Sequence, residues 1–262
     1  MAPVRLHATA FTHQGAVRAN NEDTIAVADW ITSEPMTAPV ALESEVAGPT
    51  ICLVADGMGG HAAGEVASRV VALHLASRAA EALDESGLAA LLRAADAELF
   101  ALMQEHPAWR GMGTTVAGIS VLPDRVLSFN VGDSRVYRIE GGRLVQLSTD
   151  DTPGPKLADG RTAVLTSNLV TQSLGGAYQL AEVDPHVLGE PLADGAHYLI
   201  CSDGLTDLVD RATIEQTLER DAEASARALF GAAMARGGDD NVSLILLRIH
   251  GAPERSERAR SS

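Results

Sequence analysis

Apolar positions along the chain follow two periods. Ile51-Cys52-Leu53-Val54-Ala55 is an unbroken apolar run that stops at Asp56-Gly57, the pattern of a strand buried on both faces. From His61 the period lengthens. Val66, Val70 and Leu73 recur at helical spacing, and Leu88, Leu91, Leu92, Ala95, Leu99 and Leu102 fall on one face of a second helix. The break at residues 84–87 makes an antiparallel helix pair the economical arrangement. Strand patterns return at 115–122, 126–131, 136–139 and 144–147. Pro123-Asp124 joins the first two and Gly141-Gly142 the last two, so an antiparallel meander is expected there.

The other segments complete an alternation of strand and helix blocks. Residues 24–30 read as the first strand, and 33–49, with Pro35, Pro39, Pro49 and several glutamates, as an exposed loop. Residues 148–178 are polar and carry Pro153, Gly154 and Pro155, the signature of a loop-rich insertion. An apolar strand at 197–202 stops at Asp203-Gly204, helical spacing with glycine breaks covers 211–236, and 242–249 is a last strand. The pattern predicts a mixed α/β chain, of a length that suits one large domain or two small ones, with a disordered tail over 251–262.

Composition narrows the class. The 262 residues include 35 acidic and 20 basic side chains, a formal charge of −15 with His neutral. Nucleic-acid and anionic-lipid surfaces both need clustered Lys and Arg, so neither partner is expected. Aromatic residues are only 3% of the chain while hydrophobic residues reach 46%, so the core must be built from Ala, Val, Leu and Ile. Cys52 and Cys201 each lie inside an apolar run with no C-x-x-C pair, which excludes a disulfide scaffold and a thiolate zinc site. The start, Met1-Ala2-Pro3-Val4-Arg5, lacks an apolar leader, and no run reaches the roughly 18 apolar residues of a membrane span. A soluble cytoplasmic protein, free of membrane, is the expectation.

The candidate chemistry lies in the acids. Aspartates recur where apolar runs meet loops: Asp56 after Val54-Ala55, Asp133 after Val131-Gly132, Asp203 after Cys201-Ser202, and Asp240 before Asn241-Val242. Strand ends are rigid points that can aim side chains at one spot. Any one Asp-Gly pair is ordinarily a turn; four such sites point to a shared centre. Crowded carboxylates repel one another unless a cation sits between them, and all-oxygen ligation indicates Mg²⁺ or Mn²⁺ rather than Zn²⁺. Asn20-Asn21-Glu22-Asp23 adds two acids, and Arg18 offers a planar fork for phosphate oxygens.

These residues together carry a resemblance. Arg18-x-x-x-Glu22-Asp23, Val54-Ala55-Asp56-Gly57-Met58-Gly59-Gly60-His61, Gly111-Met112-Gly113-Thr114-Thr115, Gly132-Asp133-Ser134-Arg135, Ser202-Asp203-Gly204-Leu205 and Asp240-Asn241 stand in the order of the metal-dependent Ser/Thr protein phosphatases. The chain resembles the bacterial branch of that PPM, or type 2C, family over about residues 13–249. The resemblance implies a single domain over 1–250, a four-layer α-β-β-α sandwich of two antiparallel β-sheets flanked by antiparallel helix pairs. It implies two Mn²⁺ or Mg²⁺ ions, with Asp56 bridging both, Glu22 and the Gly57 carbonyl on one, and Asp203 and Asp240 on the other. A third ion would use Asp133 with Asp203. Arg18 would bind the substrate phosphate, and Asp23 would orient metal-activated water from behind the ligands.

The implied reaction is hydrolysis of phosphoserine or phosphothreonine in proteins by a metal-activated bridging water, in signalling that opposes a bacterial Ser/Thr kinase or acts on its targets. The enzyme would be a monomer. Met58 stands where eukaryotic relatives carry a His proposed as the general acid; His61 is then either a proton donor or a packing residue at a helix start. The insertion 148–178 corresponds to the family's flap. Its Ser148-Thr149-Asp150-Asp151-Thr152 has Asp where relatives often have His, and Gln172 stands where a basic residue is common. Two other readings stay open: a non-catalytic module that binds phosphoproteins, and a phosphatase of small metabolites on the same fold.

Overall fold

The computed structural model describes residues 3–58, 63–153, 169–177, 182–218 and 221–251. Strands β1 (Arg5–His13), β2 (Thr24–Val27), β3 (Trp30–Thr32), β4 (Val40–Glu45) and β5 (Thr50–Met58) precede helices α1 (Gly64–Ser77) and α2 (Glu85–Glu105). Strands β6 (Gly113–Val121), β7 (Arg125–Val131), β8 (Arg135–Glu140) and β9 (Arg143–Gln146) follow. After them come β10 (Leu174–Gly175), β11 (His186–Pro191) and β12 (His197–Cys201), then helices α3 (Asp203–Thr206), α4 (Arg211–Thr217) and α5 (Ala222–Met234), and β13 (Val242–His250).

Among the described residues the strands form two antiparallel sheets. One runs β4-β1-β13-β12-β8-β9; the other runs β11-β7-β6-β5-β2-β3, with β10 beside the start of β6. Three apolar layers separate four structural ones, as the sandwich requires. In β5, Ile51, Leu53 and Ala55 pack under α1 and α2, while Cys52 and Val54 look across to the other sheet. In β13, Ile245, Leu247 and Ile249 fill the space between the sheets, whereas Leu244 and Leu246 pack beneath α5. A strand covered on both faces has no polar side to present, which is why these segments read as continuous apolar runs. No helix of the described residues is long and apolar enough to cross a membrane.

Several expectations need correction. The four strands 115–147 are not one meander: β6 and β7 pair in one sheet, β8 and β9 in the other. The chain changes sheets at Gly132-Asp133-Ser134, where Gly132 takes φ +101°, so the corner itself splits the run into two hairpins. The expected strand 24–30 folds back after Val27, with Ala28 in the left-handed region and Val27 paired to Trp30. The expected loop 33–49 contains β4, an edge strand on β1 whose mostly exposed glutamates disguise it. β1 and β11 were not anticipated at all.

The face of α1 is also different. Ala67, Val71, Ala72 and Leu75 are buried, while Val66 and Val70 are only partly covered and Leu73 is exposed. Small alanines let the helix lie close to the sheet around Val71 and Leu75, while Val66, Val70 and Leu73 are turned towards its margin or outward. Of the insertion 148–178, residues 154–168 and 178 lie outside the described residues, as do His61 and the tail beyond Gly251.

Candidate active site

At one end of the sandwich the inter-sheet face changes from apolar to polar. Two residues beyond Val54 on β5 the same face carries Asp56; two before Ala117 on β6 it carries Thr115. The same two-residue step leads from Ile25 back to Asp23, from Ile245 to Ser243 and Asn241, and from Ile200 on to Ser202. The period of the strand thus delivers polar groups from both sheets to one mouth. There a cleft of about 350 Å³ is lined by Arg18, Glu22, Asp56, Gly57, Asp133, Asp203 and Asp240, together with Asn20, Met58, Thr115, Val170 and Asn241.

Of the candidate metal, phosphate-binding and water-orienting residues, all line the cleft except Asp23. That carboxyl is fully buried behind it, accepting from Ser202 Oγ at 3.0 Å. Ser202 Oγ also accepts from Ser243 N at 3.0 Å, Ser243 Oγ lies 2.7 Å from Thr12 Oγ1, and Asn21 donates to Thr12 at 2.8 Å. This buried polar chain backs the acidic wall. His61, the candidate proton donor, lies outside the described residues.

The acids of the cleft are poorly satisfied. Asp56 and Asp203 are close enough for each to alter the proton affinity of the other. Burial, then the neighbouring Asp23 and Asp203, holds Asp56 well above the ordinary carboxylate range. Burial pushes Asp203 up to about 6 and Asp23 and Asp133 to about 7. Glu22 is raised by burial and then by Glu65. Buried oxygens Asp203 Oδ1 and Asp23 Oδ1 have no hydrogen-bond partner. Arg18 Nη2 reaches Asp240 Oδ2 at 2.7 Å on the exposed rim. Among the described residues no three carboxyl, imidazole or thiol groups are already arranged to share one ion.

Backbone packing fixes the approach. A Cβ on Gly57 would run into the Gly64 carbonyl and one on Gly64 into Glu22 Oε2, so two glycines let β5, α1 and the Glu22 loop close together. Ser68 Oγ donates to Glu22 O at 2.6 Å, and Thr114 Oγ1 donates to Asp56 O at 2.8 Å.

Sequence reasoning gave no role to Asn241. Its Oδ1 accepts from Glu22 N at 2.8 Å, and its Nδ2 donates to Gln14 O at 3.0 Å and Asn20 O at 2.9 Å. It staples the loop carrying Arg18 and Glu22 to the start of β13; the only signal was its place beside Asp240. Asp151, in the segment 148–152 that departs from the family pattern, and Gln172, a second departure in the insertion, prove to be partners at 3.0 Å. Arg135 is held by Asp150 through both its Nε and Nη2.

Comparison with known proteins agrees with this geometry. The family model for protein phosphatase 2C matches residues 40–236. The chain is similar to the serine/threonine protein phosphatase PstP of Mycobacterium tuberculosis, 34% identical over 255 residues that cover 92% of this chain and 44% of the other. It thus spans less than half the length of that relative. Serine/threonine phosphatase stp of Listeria monocytogenes is 30% identical over 262 residues, covering 92% of this chain and 95% of the other. The solved catalytic domain of serine threonine protein phosphatase PstP in complex with two manganese ions superposes with a TM-score of 0.74 at 33% identity, covering 95% of this chain and all of that one.

Proposed function

The chain belongs to the protein phosphatase 2C family, and from that premise we propose that it hydrolyses phosphoserine and phosphothreonine in proteins with Mn²⁺ or Mg²⁺. The observation that carries the reading is the convergence of Arg18, Glu22, Asp56, Asp203 and Asp240 on one cleft from four separate stretches of chain. The donor set fits hard cations. Its side-chain donors are all oxygen, one carboxylate oxygen is buried without a partner, and Asp56 and Asp203 are both raised by burial and by neighbouring acids, a repulsion that a cation would relieve. Glu22, Asp56, the Gly57 carbonyl, Asp203 and Asp240 would hold the two ions, and Asp133 with Asp203 a third. When bound, such ions neutralise charge on the phosphoryl oxygens and acidify water for attack at phosphorus.

The chain's own residues do the rest. Arg18 stands on the rim with a planar fork that can leave Asp240 for two phosphate oxygens. Asp23 and the hydroxyl chain behind it hold the acidic wall in register. No protein nucleophile is called for: burial pushes the thiols of Cys52 and Cys201 up to about 12, so neither forms a thiolate at neutral pH. Met58 lines the cleft and has no proton to give. In the cell this activity opposes a Ser/Thr kinase by acting on that kinase's targets.

The test is turnover of a phosphothreonine peptide by the purified protein, with and without Mn²⁺ or Mg²⁺ after chelation. Metal-dependent release of phosphate is expected. Metal binding measured by calorimetry without turnover of any phosphoester would point instead to a phosphoprotein-binding module. A preference for sugar or nucleotide phosphates over phosphopeptides would point to a metabolite phosphatase.

A further inference from the structure

We propose that Asp151 is a positioning residue that locks the base of the insertion to the corner carrying Asp133, making two walls of the cleft one mechanical unit. The inference rests on the phosphatase reading above for its consequence, though not for its geometry.

Asp151 joins three segments that lie 19, 21 and 35 residues away in sequence. Its Oδ2 accepts from Gly132 N at 2.9 Å and from Gln172 Nε2 at 3.0 Å; its Oδ1 accepts from His186 Nε2 at 2.9 Å. The backbone repeats the link, since Asp151 N donates to Gly132 O at 3.0 Å and Thr171 N donates to Asp151 O at 2.7 Å. Gln172 then ties onward: its Nε2 donates to Asp184 O at 3.0 Å and its Oε1 accepts from Asp184 N at 2.7 Å. A carboxylate is an acceptor only, and here it is met by three donors. The Asp151 side chain is 13% exposed, so water offers little substitute for them.

The segments it joins matter for the site. Gly132 precedes Asp133, and Thr171 follows Val170; Asp133 and Val170 both line the cleft. At Gly132 the positive φ and the contact of any Cβ with Thr115 leave glycine alone admissible, so its N–H is aimed by the corner rather than by chance. The departures from the family pattern in the segment 148–152 and at Gln172 also explain each other. A carboxylate at 151 takes the amide of Gln172 and the imidazole of His186, three side chains that make a closed set of donors and acceptors. Val170 is an apolar residue lining a cleft that is otherwise mostly polar, suited to side chains of a polypeptide rather than to the phosphate, for which Arg18 and the acids are suited. The lock therefore governs recognition of polypeptide substrates more than the chemistry.

The test uses the whole chain with His186→Ala, His186→Gln and Asp151→Ala. His186 lies on a half-exposed edge strand, so His186→Ala keeps a folded chain even if Asp151→Ala does not. Hydrogen exchange in metal-free protein should quicken about tenfold or more at the amides of both Gly132 and Thr171 in His186→Ala. His186→Gln, whose amide can still donate to Asp151, should restore both. With Mn²⁺ present, KM for a phosphothreonine peptide should rise about tenfold in His186→Ala while KM and kcat for an aryl phosphate stay within about twofold. Exchange that quickens at one amide only, or at neither, overturns the lock. Equal changes for peptide and aryl phosphate overturn its role in recognition. A wild-type protein that turns over no phosphopeptide sinks the phosphatase reading instead, and leaves the exchange data to judge the lock alone.

Discussion

Two groups of carboxylates lie within this fold and behave in opposite ways. Glu190, on β11, accepts from Tyr198 Oη at 2.9 Å and pairs with Arg138, bridging one sheet to the other. Glu215 on α4 accepts from the Leu144 amide and from Arg211 and Arg143, and those donors hold it down at about 2. In the cleft, by contrast, Asp56, Asp203, Asp23 and Asp133 are raised, with bare oxygens and acids for neighbours. Acidity alone therefore marks nothing. What separates the two groups is their surroundings: the structural acids are met by cations and amides, whereas the cleft acids crowd against one another and leave buried oxygens of Asp23 and Asp203 without a partner.

The contrast can be broken by exchanging each acid for its amide. Asp203→Asn or Asp56→Asn should lower kcat by at least about 10²-fold, the scale of several kcal/mol of lost metal chemistry. The same change should leave the melting temperature of chelated protein unchanged or higher, because a repelling charge is gone. Activity equal to wild type would remove these residues from the reaction. Next in size, Arg18→Ala should raise KM for a phosphopeptide about 10-fold or more, as a charge-assisted pair is lost. Because Arg18 competes for Asp240, Mn²⁺ affinity by calorimetry should hold or tighten; weaker metal binding would show that Arg18 supports the ligands rather than the phosphate.

Glu190→Gln should do the reverse of the cleft changes. Losing a charge-assisted partner of Arg138 costs about 1–3 kcal/mol, read as a lower melting temperature, with kcat within about twofold. The smallest effect concerns pH. In chelated protein the acids at about 6 and 7 hold protons more firmly than an unfolded chain does, so their contribution to stability is full below the ordinary carboxylate range and is lost as pH rises through those values. Bound cations replace the protons. The rise in melting temperature on adding Mn²⁺ should therefore be larger at pH 8 than at pH 5.5; an equal rise would mean that ions and protons do not compete for these groups.

How far this could be read from the chain depends on range. β5, β6, β12 and β13 were legible because burial on both faces leaves no polar residue to interrupt the run. β4 was hidden because an edge strand carries Glu43 and Glu45 on the side that meets water. The sheet to which β8 belongs is decided by the corner at Gly132, a geometric fact with no hydrophobic signature. In the site, the aspartates were legible by their position at strand ends and by motif order. The Asn241 staple and the Asp151–Gln172–His186 set were not, since their partners lie from 19 to 227 residues away and no local pattern records such a meeting.

The placement of α4 has an effect on assembly. Glu215 takes the Leu144 amide of β9, and Arg211 takes the Leu144 carbonyl, so the middle of that rim is already bonded and hinders a foreign strand from pairing there. The opposite rim, β4, presents Glu43 and Glu45, which would face their own copies unfavourably in an antiparallel approach. Each margin of this layer is thus guarded by different means, one by occupied hydrogen bonds and one by like charge, and the sheet is protected from polymerising edge to edge.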